Sequence, residues 1–303
     1  MGIIGNWVES LDYEFEILQE RCVRHKSPLS GCEKCAEACG EEAIVFSDGK
    51  PAIDAECCTE CGDCIPACPV EAIAGILPSK NFDKNKLVAE GKPPTVKELL
   101  AYRAKGITEI AAGPSGCEPG WHASVSAADV VLTGLGMEPF RIAAKEEMDH
   151  SCSRRELFSL WKDEGRTLAK QLAPAKWRFN HSQLNLSELY SGRQFYSVEV
   201  DFNACTLCKA CAALCPRKCF TIDSASFYIN SQTCSGCGLC VDVCMEGAVR
   251  VIDEPGAAKN SQVPVHQSTC IDCKTSFLSL SADLEKCPVC SKRKEGFLRS
   301  QSC

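Results

Sequence analysis

The cysteines of this chain are spaced in a way that few folds can use. In Cys205-x2-Cys208-x2-Cys211-x3-Cys215-Pro216, and again in Cys234-x2-Cys237-x2-Cys240-x3-Cys244, a Cys recurs every third residue. A loop that tight brings three thiolates to one point. A cube of four irons and four sulfides needs four, and the fourth comes from the partner run, so two runs hold two cubes by exchanging their last Cys. A disulfide scaffold is the competing use for 25 cysteines in 303 residues. Disulfide-dense domains are small and secreted, which this chain is not. The count is odd. Met1 to Glu9 has neither the basic start nor the apolar stretch of a signal peptide.

On these motifs the chain resembles the bacterial 2[4Fe-4S] ferredoxins. One cube of the module at 195–255 is expected on Cys205, Cys208, Cys211 and Cys244, the other on Cys234, Cys237, Cys240 and Cys215. A second module is expected at 1–79. Cys58-x2-Cys61-x2-Cys64-x3-Cys68-Pro69 is a complete run, whereas Cys32-x2-Cys35-x3-Cys39 has Leu29 where its first Cys belongs. Cys22, ten residues before Cys32, is the natural replacement, with the polar loop Arg24 to Gly31 folding back. One cube then takes Cys22, Cys32, Cys35 and Cys68, and the other Cys58, Cys61, Cys64 and Cys39. The alternative is that Cys22 is a buried thiol, leaving a three-Cys site for a [3Fe-4S] cluster or for nothing.

An internal repeat supports the pairing. Each fourth Cys is followed by a strand start: Cys39 to Ile44, Cys68 to Ile73, Cys215 to Phe220 and Cys244 to Val249. Cys219 falls at the position held elsewhere by Ala43, Ala72 and Ala248, and is expected to pack rather than to bind iron. Cys57 is out of register and spare. Each module is expected to be a compact hairpin-and-helix unit that takes much of its folding free energy from its clusters.

Between the modules the texture changes. Lys80 to Pro94 is charged, ends in Pro-Pro, and reads as a linker (80–94). Val96 to Arg103 reads as a helix, Ile107 to Ala112 as a strand, His122 to Leu135 as a helix and Phe140 to Ala144 as a strand, a small α/β domain over 95–150. Gly134-Leu-Gly136 reads as a helix C-cap. The loop Gly116-Cys117-Glu-Pro-Gly120-Trp-His122 resembles the delta subunit of hydrogenases linked to heterodisulfide reductase, in which such a loop contributes to a [2Fe-2S] site. That family's nearby second Cys is Trp121 here, with Cys117 and Cys152 the cysteines at hand. A strand-to-helix position would lower the Cys117 pKa through the helix dipole. The plain alternative is a tight turn with a buried Cys. Ser153 to Leu172 reads as an amphipathic helix within a connector over 151–194.

The last segment, 264–303, carries Cys270-x2-Cys273 and Cys287-x2-Cys290 with thirteen residues between the pairs. Two Cys-x2-Cys turns make a tetrahedral four-thiolate site of zinc-ribbon spacing. Cys287-Pro-Val-Cys290 also looks like half of a rubredoxin iron site, but that family uses a longer interval, so zinc is favoured. His266 is not needed to complete the site. The fold class is therefore α+β: two ferredoxin-like dicluster modules flanking a small α/β domain, plus a C-terminal zinc-ribbon-like knuckle. Cys57, Cys117, Cys152, Cys219 and Cys303 are left over.

The formal charge is −7. Four cubes and a four-thiolate zinc, each adding about two negative charges, bring the loaded protein to roughly −17. A phosphate backbone calls for a basic face, so nucleic acid is not the expected partner. The apolar run Val125 to Met137 carries Asp129, so no direct membrane insertion is expected. No Gly-x-Gly-x-x-Gly follows a strand and no Gly-x4-Gly-Lys-[Ser/Thr] occurs, which leaves no dinucleotide or ATP motif. The expectation is a cytoplasmic wire of four [4Fe-4S] clusters and one structural zinc. It would pass single electrons between a donor and the catalytic subunit of a larger oxidoreductase. Two other functions stay open: an enzyme with chemistry at Cys117 and His122, and an iron–sulfur redox sensor acting through partner docking.

Overall fold

The structure is a computed structural model that describes residues 15–83, 85–112, 117–143 and 179–293. The expected helix at 153–172, Cys152, Cys303 and the tail beyond 293 lie outside the described residues. The chain mixes short helices with short strands and divides into two units, residues 1–22 with 33–190, and residues 23–32 with 191–303.

In the first unit, strand β1 (Glu16–Ile17) pairs antiparallel with a later strand, Ile73–Ala74, placing Ile17 opposite Ile73. Between them lies the hairpin β2 (Ile44–Ser47) and β3 (Lys50–Ile53). Its loop is Asp48-Gly49, both at positive φ (50° and 74°). That is the geometry a two-residue hairpin needs to match strand twist. Ile73–Ala74 is β4. Buried Ile65, Val70, Ala72, Ile73 and Leu77 form the interior beside it.

The stretch 80–94 is not a linker. β5 (Phe82–Asp83) and β6 (Lys86–Ala89) lie in it and join β7 (Glu109–Ala112) and β8 (Arg141–Ala143) in one sheet. β6, β7 and β8 are parallel, and β5 is antiparallel to β6. Leu87 and Ala89 are buried, and a single Leu-Val-Ala run between charged ends is enough for a covered parallel strand. Helix α1 (Val96–Ala104) connects β6 to β7, and α2 (Pro119–Gly134) connects β7 to β8. Thr95 and Glu98 form a reciprocal capping box at the start of α1. Beyond Gly134, Gly136 is left-handed (φ 69°), and the Gly136 and Met137 N–H groups close on Thr133 O and Leu132 O, the glycine C-cap expected there. Leu99, Leu100, Tyr102, Ile107, Ile110 and Leu132 make the core.

In the second unit the strand plan of the first recurs with a longer outer strand pair. β9 (Arg193–Val200) pairs antiparallel with a later strand, Val249–Ala257. Between them β10 (Phe220–Ile222) and β11 (Ser226–Asn230) form a hairpin. Val249–Ala257 is β12, and β13 (Asn260–Pro264) adds to the hairpin's edge. Val198, Phe220, Phe227, Ile229 and Val249 form the core, joined by Leu280 from the last segment. There β14 (His266–Thr269) and β15 (Ser276–Ser279) make a further hairpin. Among the described residues no helix is long and apolar enough to cross a membrane.

Candidate metal centres

The three complete Cys-x2-Cys-x2-Cys runs share one backbone shape. The residue before the second Cys and the residue after it are both left-handed: Glu60 and Gly62, Leu207 and Lys209, Gly236 and Gly238. Alternating handedness turns successive N–H groups toward one point, forming a nest that accepts an anion. Three non-glycine residues hold this conformation, which costs each about 1–2 kcal/mol. A cluster with net negative charge would offset that strain.

The turn after each fourth Cys repeats as well. Glu42, Glu71, Lys218 and Gly247, each three residues on, are left-handed. The next N–H then bends back to the sulfur: Ala43 to Cys39 at 3.3 Å, Ala72 to Cys68 at 3.2 Å, Cys219 to Cys215 at 3.3 Å and Ala248 to Cys244 at 3.3 Å. These bonds favour the thiolate over the thiol.

Each complete run faces a cavity with three of its own cysteines and one from its partner run. Cys205, Cys208, Cys211 and Cys244 wall one with about 380 Å³ of atom-free space, partly open to solvent. Cys215, Cys234, Cys237 and Cys240 wall a second of about 320 Å³, and Cys39, Cys58, Cys61 and Cys64 a third of about 340 Å³. Their other walls are largely apolar. Burial first, and then the neighbouring Cys61 thiol, push Cys64 up to about 12; burial and then Cys205 do the same to Cys211. Crowded buried thiols of this kind ionise once cationic iron sits among them. The donor set therefore fits a thiolate-held iron–sulfur cube.

The remaining set is less regular. Gly31 is not left-handed and Glu33 has φ −127°, so the run with Leu29 in place of a Cys lacks the nest. Cys22 is buried and immediately precedes a one-turn helix, Val23–Lys26. Cys22, Cys35 and Cys68 belong to the first unit, while Cys32 ends the segment counted with the second. In that segment the Gly31 N–H donates to the Asp242 carboxylate at 2.9 Å. Near Cys68, the largely buried Lys97 donates to Cys68 O and to Glu71, both at 2.8 Å. No sequence signal pointed to this tie between α1 and the Cys turn.

At the C-terminus Cys270, Cys273, Cys287 and Cys290 bring four sulfurs within 4.8 Å of one another. The Cys287 N–H donates to Cys270 Sγ at 3.3 Å, and the Cys290 N–H to Cys287 Sγ at 3.4 Å. Hydrogen bonds from the Cys273 and Cys287 backbone hold Cys270 down at about 6, ready to act as a thiolate ligand. His266 lies on β14 opposite Ser279 and is not one of the four.

The leftover thiols separate by environment. Cys57 is exposed and walls no described cavity, and Cys219 is buried. Cys117 precedes the first turn of α2, but its pKa moves up, through desolvation and then the Glu118 carboxylate. The expected lowering is not found: burial and the Glu118 carboxylate move the Cys117 thiol the other way. Trp121 is fully buried in the α/β core with its Nε1 donating to Gly91 O at 2.9 Å, so this position serves packing.

Comparison with known proteins agrees with this geometry. No protein-family model matches the chain. One component of the Na(+)-translocating ferredoxin:NAD(+) oxidoreductase complex of Acetobacterium woodii is 42% identical over 65 residues, 19% of this chain and 20% of that protein. An uncharacterized ferredoxin of Methanocaldococcus jannaschii is 48% identical over 44 residues, 14% and 29% of the two chains. An Escherichia coli electron transport protein, HydN, is 26% identical over 102 residues, 32% and 52%. The chain thus spans between a fifth and about half of the length of these relatives. The similarities support ferredoxin-like iron–sulfur modules.

Proposed function

We propose that this chain carries single electrons through four [4Fe-4S] clusters, as a cytoplasmic subunit linking a donor to the catalytic subunit of a larger oxidoreductase. The observation that carries the reading is the three-plus-one grouping of cysteines around each cavity. Cys205, Cys208, Cys211 and Cys244 hold one cube. Cys215, Cys234, Cys237 and Cys240 hold another, and Cys39, Cys58, Cys61 and Cys64 a third. Cys22, Cys32, Cys35 and Cys68 complete the set. When bound, each cube supplies one-electron redox chemistry at a potential set by its surroundings. Four thiolates per cube leave no iron open to substrate, so the residues hold and tune rather than catalyse. Cys270, Cys273, Cys287 and Cys290 hold a zinc with no open position, a structural role. The names of the relatives, a ferredoxin, an electron transport protein and a component of an oxidoreductase complex, point the same way. The loaded chain, more acidic than its formal −7, favours partners with basic docking surfaces.

The test is an anaerobic assay of the lone chain. It is expected to accept electrons from a strong one-electron reductant and pass them to an artificial acceptor, while leaving NADH, formate and hydrogen untouched. Turnover of a substrate that survives removal of every other protein, and stops on Cys117→Ala, would replace this reading with an enzyme.

A further inference from the structure

Cys219 is the one member of the fourfold turn with a side chain able to reach a sulfur. Its counterparts are Ala43, Ala72 and Ala248. All four positions donate their backbone N–H to the preceding Cys at 3.2–3.3 Å, so the backbone acts alike in each. What differs is the thiol. It is 3% exposed and walls the cavity of Cys215, Cys234, Cys237 and Cys240. The Thr233 hydroxyl, 3.3 Å from Cys219 Sγ and 3.1 Å from Asn230 O, gives its single proton to one or the other.

Ser235 is an independent second observation. Its Oγ is buried, has no hydrogen-bond partner among the described residues, and belongs to the wall of the same cavity. An unbonded buried hydroxyl costs about 1–3 kcal/mol. A sulfur-rich anion in that cavity is an acceptor that removes the cost. Arg217 lines this cavity too, whereas the sibling cavity of the second unit is lined by Glu246 and Lys209.

A donor aimed at a cluster sulfur draws charge away from the cube. Reduction adds negative charge, so donors stabilise the reduced form more than the oxidised one and raise the potential. On the four-cube reading above, we infer that Cys219 and Ser235 donate hydrogen bonds to the sulfurs of the cube held by Cys215, Cys234, Cys237 and Cys240. Of the two cubes of the second unit, the one on Cys215, Cys234, Cys237 and Cys240 would then have the higher potential and take the electron in preference to its sibling.

The test is an EPR-monitored redox titration of the full chain, isolated anaerobically. Cys219→Ala and Ser235→Ala are expected to keep the wild-type iron content and to lower the potential of one cube only. At fixed poise, its reduced-to-oxidised ratio should fall about threefold in each and about tenfold in the double variant, the latter about 59 mV for one electron. Cys219→Ser, which keeps a donor, should restore most of the shift. If Cys219→Ala lowers stability too far to titrate, Ala248→Cys offers the mirror experiment and should raise the sibling cube. Unchanged potentials in the double variant, or loss of a cube in Cys219→Ala, would overturn the inference. Wild-type protein without any reducible cube would instead overturn the electron-carrier reading beneath it.

Discussion

Replacing Gly236 by alanine is expected to strip the chain of one cube, about four irons, and to lower its thermal unfolding temperature. Gly236 sits at φ 67° inside the Cys234 to Cys240 loop, and a Cβ there runs into the Tyr196 ring. Tyr196 stands on β9, half-buried and packed against the core of the second unit, so the ring must shift to admit the Cβ. Left-handed strain alone does not forbid a side chain, because Leu207 occupies the equivalent place in the sibling loop at φ 53°. That strain costs about 1 kcal/mol and the ring overlap about 1–3 kcal/mol more. The two add at a loop that must hold three sulfurs in register. Tyr196→Leu in the same chain should restore much of the iron by removing the overlap. Full iron content and an unaltered unfolding curve in Gly236→Ala would show that the loop is not held as described.

Stripping zinc from the C-terminal knuckle should have the second large effect, confined to that segment. Its own interior is small: Cys270, Ser279, Leu280 and Cys287 are its buried residues among those described. Its ion pairs, Lys286 with Asp272 and Lys292 with Glu246, are substantially exposed and add little. A four-thiolate zinc contributes about 10 kcal/mol or more to such a fold. Chelation is therefore expected to expose the amides of 266–293 to hydrogen exchange while the iron signals persist. Retained protection after the zinc has gone, or iron in place of zinc, would count against the assignment.

The cysteine groupings were legible because local spacing sets them. Three thiols in a seven-residue loop can converge on little else than one point, and the structure groups three of the four expected sets around cavities. The α1, β7, α2 and β8 elements were legible from periodicity for the same local reason. What was hidden depends on contacts distant in sequence. β6 was masked because Leu87-Val88-Ala89 is short and flanked by charge, and its strand character comes from parallel pairing with β7. The Lys97 tie to Cys68 and Glu71 joins residues 29 and 26 apart. Burial and Glu118 decided the Cys117 shift, and neither effect can be weighed from a Gly-Cys-Glu-Pro string. The role of Cys219 was half legible: its register with Ala43, Ala72 and Ala248 was plain, but its place in the wall of the Cys215, Cys234, Cys237 and Cys240 cavity was not.

Metal analysis of the anaerobically isolated chain distinguishes the four-cube electron path from its alternatives. Iron, acid-labile sulfide and zinc are measured per chain, with EPR of the oxidised sample. About 16 iron, 16 sulfide and one zinc are expected, with no [3Fe-4S] signal. About 12 iron or a [3Fe-4S] signal would remove Cys22 from the ligands, and about eight irons or fewer would contradict the path itself.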